Sequence, residues 1–257
     1  MRILTRAIWG FIFLLSATTA QADVRFGIAA EPYPPFTWKD ASGKWVGWEI
    51  DLMNAVCEQM HENCQIVEVS WDNIIPALNG HFIDVIWASM GITAERQRVI
   101  DFTDAYYTTP AVMIGAKTGD KDISPSHLNG KAIAVQTGTM YEPYLAKHFD
   151  GSVMKTYQTQ DEAFQDLTAG RVEYAPGDFP AVQAFLKTPQ GSACCEIKGV
   201  LPFDAEIFGS GAAGGIRKGD DKLKSRLNAA LKAVIETGLY DKITKAYFDY
   251  DILPPQP

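Results

Sequence analysis

Two residue types that carry much protein chemistry are scarce here: four histidines and four cysteines are spread over 257 residues. His61, His81, His127 and His148 stand far apart, and no CxxC or HExxH spacing occurs. The spacing signals of a metal centre and of a Ser-His-Asp triad are therefore missing. Positive charge is also in short supply. Lys and Arg number 23 against 31 Asp and Glu, a formal net charge of -8, which argues against nucleic acid as a partner because its binders carry a basic footprint. Low-complexity runs, internal repeats and long linkers are lacking too. With 47% hydrophobic and 21% charged residues, the chain can bury a core.

One apolar run stands out, at the N-terminus. Arg2 and Arg6 precede AIWGFIFLLSATT, and the segment closes on Ala20-Gln21-Ala22. A positive start, a short apolar core and a small-residue cleavage site describe a secretory signal peptide over residues 1–22, too short for a membrane anchor. The mature chain is expected to begin near Asp23, and losing two arginines takes the charge from -8 to about -10. No cysteine stands at the cleavage point to accept a lipid, and no later stretch is long enough to span a bilayer. Export also shapes how the cysteines read. Cys57 and Cys64 bracket EQMHEN and read first as a disulfide, with metal binding the weaker alternative. Cys194 and Cys195 are adjacent, and free thiols or a vicinal bridge both stay open.

Past the leader, strand and helix patterns alternate. VRFGIAA (24–30) reads as a strand, and WEIDLMNAVCEQM (48–60) as a helix through Ile50, Met53, Ala55, Val56 and Met60. CQIVEVS is a strand, DNIIPALNG a short helix with Asp72 as N-cap and Gly80 as stop, and FIDVIWAS a buried strand. A second set follows: KAIAVQTGTMYEPYLAKHF (131–149) is strand, turn and helix, and DEAFQDLTAGRVEYAPGD (161–178) is helix, Gly stop and strand. FGSGAAGGIRKG (208–219) suits a loop entering a strand, and the tail holds two amphipathic helices broken at Gly238. The expected class is α/β, with mostly parallel sheets flanked by helices.

Four segments in register carry a resemblance: YPPFTWKDASGKWVGWEIDLMNAVCEQM, GITAERQRVIDFTDAYY, DLTAGRVEYAPGD and RKGDDKLKSRLNAALKAVIETGLYDKITKAYF. The chain resembles the family 3 solute-binding proteins of bacterial polar amino acid ABC transporters, which include lysine/arginine/ornithine-, histidine- and glutamine-binding proteins. The resemblance implies the two-lobed periplasmic binding protein fold of type II, with a ligand cleft between the lobes. Lobe one would comprise residues 23–109 and 212–257, lobe two 114–204, with hinge strands at 110–113 and 205–211. It implies a periplasmic, non-enzymatic monomer without cofactor or metal. Such a protein captures a polar L-amino acid, basic ones first, or a derivative such as an opine, and delivers it to an inner-membrane ABC permease. The competing class is an enzyme of the same fold resembling cyclohexadienyl dehydratases, for which Glu173 and Glu206 are candidate acids.

The resemblance also assigns ligand contacts. Arg96 aligns with the arginine that clamps the ligand α-carboxylate, where a planar guanidinium makes two charge-assisted hydrogen bonds, and Ser89 or Thr93 can add others. Taken alone, Arg96 reads as a surface residue paired with Glu95 or Asp101. Asp178 aligns with the acceptor of the ligand ammonium, although it also suits the N-cap of FPAVQAFL. Tyr33 and Trp71 align with the aromatic residues that sandwich the ligand's aliphatic part, and Pro32, Pro34 and Pro35 stiffen the loop of the first. In the anion turn Thr139 would offer a hydroxyl, and Met140 only its backbone N–H, where basic-amino-acid binders have a second hydroxyl. Other departures are Ala88 and Gly91 in place of serines, and Gln136 in place of an apolar residue. The acid for a distal ammonium aligns with Ala30. Glu31, one residue on, substitutes only if the loop bends at Pro32, because neighbours in a strand face opposite sides.

Overall fold

The computed structural model describes residues 23–255, so the signal peptide read at residues 1–22 lies outside the described residues. Two five-stranded sheets form, with a small ribbon of Trp38–Lys39 and Trp45–Val46. The first sheet runs in the order Cys64–Val69, Val24–Ala29, Val85–Ile86, Ala212–Ile216, Asp101–Tyr107. The second runs Cys195–Val200, Ala111–Ala116, Tyr174–Asp178, Ala132–Gln136, Val153–Tyr157. Strands from both ends of the chain thus share one sheet and the middle of the chain builds the other, giving two sheet-rich lobes flanked by helices.

Each sheet is mostly parallel, as expected, with four of its five strands running one way and one strand against them. Val24–Ala29 and Ala132–Gln136 are parallel to both neighbours, whereas Ala212–Ile216 and Ala111–Ala116 are antiparallel to both. The antiparallel pairs flank the places where the chain passes between sheets.

Helix Trp48–Met60 starts at Gly47, whose φ of 126° is open to glycine; a Cβ there would sit 2.2 Å from the Phe36 carbonyl oxygen. Its buried face carries Trp48, Leu52 and Val56, and Trp48 meets Tyr107, Tyr240 and Phe248 edge-on. Helix Asp221–Glu236 closes the same core with Leu223, Leu227, Leu231 and Val234, spaced at nearly one turn. Each such side chain contributes about 2 kcal/mol on full burial. Gly238, at φ 73°, ends this helix and opens Leu239–Thr244.

Three local expectations change. In FIDVIWAS, Ile83 and Val85 to Ala88 are buried but Phe82 is exposed, and only Val85–Ile86 pairs as strand: Asp84 is drawn to Arg25 and Arg217, and Ser89 turns to φ 53°. Asp72 caps nothing, because it lies inside the 3-10 turn Trp71–Asn73 that precedes helix Ile74–Asn79. Residues 205–211 are no strand, because the Asp204 carboxylate accepts from Glu206 N–H at 3.1 Å and starts the helix Ala205–Phe208.

Both cysteine pairs are bonded, Cys57 to Cys64 with an S–S distance of 2.05 Å, and Cys194 to Cys195, which decides the vicinal pair in favour of a bridge. The first pins the end of helix Trp48–Met60 to strand Cys64–Val69. Replacing Cys57 and Cys64 by serine together is expected to lower stability by about 2 kcal/mol, since the loop it closes is short. Differential calorimetry checks this; an unshifted melting temperature would show that the bridge adds nothing.

Candidate functional site

The ends of the strands deliver the site. In the first lobe Val24–Ala29 leads to Glu31 and Tyr33, Cys64–Val69 to Trp71, and Val85–Ile86 to Ala88 and Ser89. In the second, Ala132–Gln136 ends on Gln136 and leads to Thr139, Met140 and Tyr141, while Tyr174–Asp178 ends on Asp178. Together with Arg96 these residues line one cavity between the sheets. Of the predicted contacts Gly91 and Thr93 are outside it; Gly91 lines a neighbouring cavity that shares Ser89, Met140 and Asp178.

Arg96 opens the 3-10 turn Arg96–Arg98 and is only 9% exposed. Its two terminal nitrogens donate to the carbonyls of Gly91 (3.1 Å) and, across the cleft, Gly138 (3.0 Å). The guanidinium carbon stands 5.3 Å from the Trp71 ring centroid. Among the described residues no carboxylate forms an ion pair with it; Glu95 and Asp178 act on it only through their fields. Burial lowers the guanidinium from 12.5 to about 10, so it stays cationic at neutral pH. The surface pairing with Glu95 or Asp101 that its sequence context suggests is absent; Asp101 instead takes Lys218 at 2.9 Å.

Asp178 occupies the N-cap position of helix Phe179–Leu186 but makes no side-chain cap bond. Its carboxylate accepts from two phenols instead, Tyr33 of the first lobe at 2.6 Å and Tyr141 of the second at 2.5 Å. Burial raises its carboxyl above the usual range, against the pull of those bonds and of the Arg96 charge. Burial, with the Asp178 charge, likewise pushes both phenols well up.

Two hydroxyls differ from their expected use. The Ser89 hydroxyl donates to Glu49 at 2.8 Å, and its N–H to the other Glu49 oxygen at 2.7 Å. The Thr139 hydroxyl donates to the Gln136 carbonyl at 2.7 Å. Each keeps lone pairs but has committed its proton, so the turn before helix Tyr141–His148 has backbone N–H groups, and not the Thr139 hydroxyl, to offer an anion. Thr93 serves Arg96 itself, accepting its backbone N–H at 3.2 Å.

Several contributors escaped sequence reasoning. Glu49 is fully buried and takes a third donor, Tyr106 O–H, at 2.5 Å; burial raises its carboxyl. Helical periodicity alone placed it on an apolar face, which was the available signal. Tyr141 had none. Thr159, Gln160 and Asp161 line the cavity because Thr159 and Glu162 form a capping box, legible as T-x-x-E, that fixes the start of helix Gln160–Thr168. Ala30 is exposed and outside the lining, while Glu31 is within it.

A cavity with a buried cation from one lobe and a buried carboxylate from the other suits a small zwitterion. Known proteins agree. The L-arginine-binding protein of Pseudomonas aeruginosa is 38% identical over 93% of both chains, and the histidine-binding periplasmic protein of Salmonella typhimurium is 37% identical over 92% of this chain and 93% of its own. A solved structure of an ancestral arginine-binding protein bound to arginine superposes with a TM-score of 0.80 at 33% identity, covering 89% of this chain and 99% of that one. These relatives are named as binding proteins, and the dehydratase alternative is not favoured. Residues 24–250 match the model of the bacterial extracellular solute-binding proteins, family 3, and the chain belongs to that family.

Proposed function

We propose that this protein captures a polar L-amino acid, basic ones first, between its lobes in the periplasm and delivers it as a monomer to an ABC permease. One observation carries the proposal: the buried Arg96 guanidinium, without a carboxylate partner, shares a cavity with Asp178 from the opposite lobe. Arg96 grips the α-carboxylate with help from backbone N–H groups at Thr139 and Met140, and Asp178 receives the ammonium. Tyr33 and Trp71 flank the aliphatic part, and Ala88, Ser89 and Gln136 complete the wall. Gly91 acts by orienting Arg96 through its carbonyl.

The lobes, residues 23–109 with 212–257 and residues 114–204, close about the connections near 110–113 and 205–211. A ligand held by both lobes stabilises the closed arrangement more than the open one, and so converts binding into a shape the permease can read. The names of the relatives, which specify arginine and histidine, support an amino acid ligand and a periplasmic site.

A thermal-shift screen of the purified protein against the amino acids tests this. A true ligand at a hundredfold excess over its Kd adds about 2.7 kcal/mol of stability, and no shift with any of them would refute the proposal. Arg96→Ala is expected to weaken that ligand by at least about 2 kcal/mol while the ligand-free protein still folds; an unaltered calorimetric affinity would remove Arg96 from the site.

Affinity also depends on pH through Asp178. The ammonium needs the carboxylate, whereas the ligand-free protein holds the proton at a pH above the ordinary 3.8. Binding therefore releases a proton, and affinity falls with falling pH from a point above that of an exposed aspartate. Calorimetry between pH 4 and 8 is expected to show this slope in the wild type and its loss in Asp178→Asn; parallel profiles would contradict the role of Asp178.

A further inference from the structure

Glu49 is fully buried and lines neither cavity, yet its side chain is bound to Ser89, which lines both. It enters the core as the second residue of helix Trp48–Met60. The backbone holds it on both sides: its N–H donates to the Phe36 carbonyl at 3.0 Å, and its carbonyl accepts from the Trp87 indole at 2.9 Å. Nothing in the capture proposed above uses this acid, and a buried carboxylate is costly unless donors meet it.

Donors do meet it. Oε1 accepts from the Ser89 N–H at 2.7 Å and from the Tyr106 O–H at 2.5 Å, and Oε2 accepts from the Ser89 O–H at 2.8 Å. All three are bonds that the side chain accepts, the surroundings of a carboxylate and not of a carboxylic acid. Burial raises the carboxyl, and these donors work against the rise.

Two of the three bonds come from Ser89, and together they fix it. A non-glycine residue at positive φ is uncommon. Of the three among the described residues, His61 and His81 are exposed, and Ser89, at φ 53°, is the one that lines a cavity. The same grip decides the polarity of the hydroxyl. A serine has one proton to give and two lone pairs to offer, so with the proton on Glu49 Oε2 it can present only lone pairs to the cavity it shares with Asp178. An acceptor there suits a donor such as an ammonium and turns away a carboxylate.

Resting on amino acid capture at this cavity, we propose that Glu49 is a positioning residue that acts through Ser89: it draws the hydroxyl proton away from the cavity and makes Ser89 a second acceptor, with Asp178, for the ligand ammonium. Arg96 keeps the carboxylate end. Glu49 thereby helps to set which way round the zwitterion lies without touching it.

Glu49→Gln tests this because it keeps the shape and reverses one bond. The amide oxygen can still accept from the Ser89 N–H and from Tyr106, but the amide nitrogen donates to Ser89 Oγ and sends the serine proton toward the cavity. Ser89→Gly removes the hydroxyl and tolerates the positive φ. Calorimetric titration with L-arginine, L-lysine, L-histidine and L-glutamine is expected to show about tenfold weaker binding in each variant than in the wild type. In the Ser89→Gly background, adding Glu49→Gln is expected to cost less than about twofold more, because its path to the ligand is gone. A merely structural Glu49 would cost the same in both backgrounds, and that result overturns the assignment. Wild-type affinity in Ser89→Gly overturns it too, whether or not Glu49→Gln folds. If an amino acid binds the wild type and these variants do not weaken it, capture stands and only the role of Glu49 falls; if none of the four binds, both fall.

Discussion

Taking the Arg96 guanidinium out of water without a carboxylate beside it costs several kcal/mol, and the surrounding residues are arranged to bear that cost without cancelling the charge. Carbonyls of Gly91 and Gly138 and the face of Trp71 offer partial negative charge only. Thr93 fixes the backbone of the turn from which the side chain reaches. A full negative charge in the same place would have stabilised the arginine and closed it to a ligand. Dipoles hold it and leave its charge available.

The carboxylates follow the complementary rule. Asp178 and Glu49 are both buried, and both are held by O–H and N–H donors that carry no charge: two phenols for Asp178, and Ser89 with Tyr106 for Glu49. Their tasks differ because their positions do. Asp178 lines the cavity, so its remaining lone pairs can meet an ammonium. Glu49 stands behind Ser89 and holds that residue at φ 53°, which sets the path of the loop into Gly91 and so the carbonyl that orients Arg96. The buried acid on the helix and the arginine in the cleft are thus linked through one strained turn.

Much of this was legible in the sequence, and the limits of that legibility are physical. The helices came through because residues such as Leu223, Leu227, Leu231 and Val234 repeat with the helical period, and Gly238 interrupts them. Arg96, Asp178, Tyr33 and Trp71, which line one cavity, were singled out by resemblance, since local pattern explained each of them at least as well by a surface or packing role. The one opposed strand in each sheet did not come through, because period two carries no sign, and neither did the length of Val85–Ile86, where Asp84 answers to arginines remote in sequence. The hydroxyl commitments of Ser89 and Thr139 were hidden for the same reason. A sequence names a donor but not the acceptor that takes its proton.

The arrangement of charge also bears on how the proposed capture would couple to closure. Arg96 belongs to the first lobe and Asp178 to the second. Among the described residues three side-chain hydrogen bonds already reach across, Tyr33 to Asp178, Arg96 to Gly138 and Tyr250 to Gln183, and a separation of the lobes would exchange each for water at little net cost. A guest with charges at its ends changes that exchange, because each end then lies between groups from different lobes and loses a charged partner when they part. In the proposed capture the stabilisation gained on closing would rest on the charged bonds, which are the strong ones, since the protein's own hydrogen bonds between the lobes are neutral or singly charged and exchange readily with water.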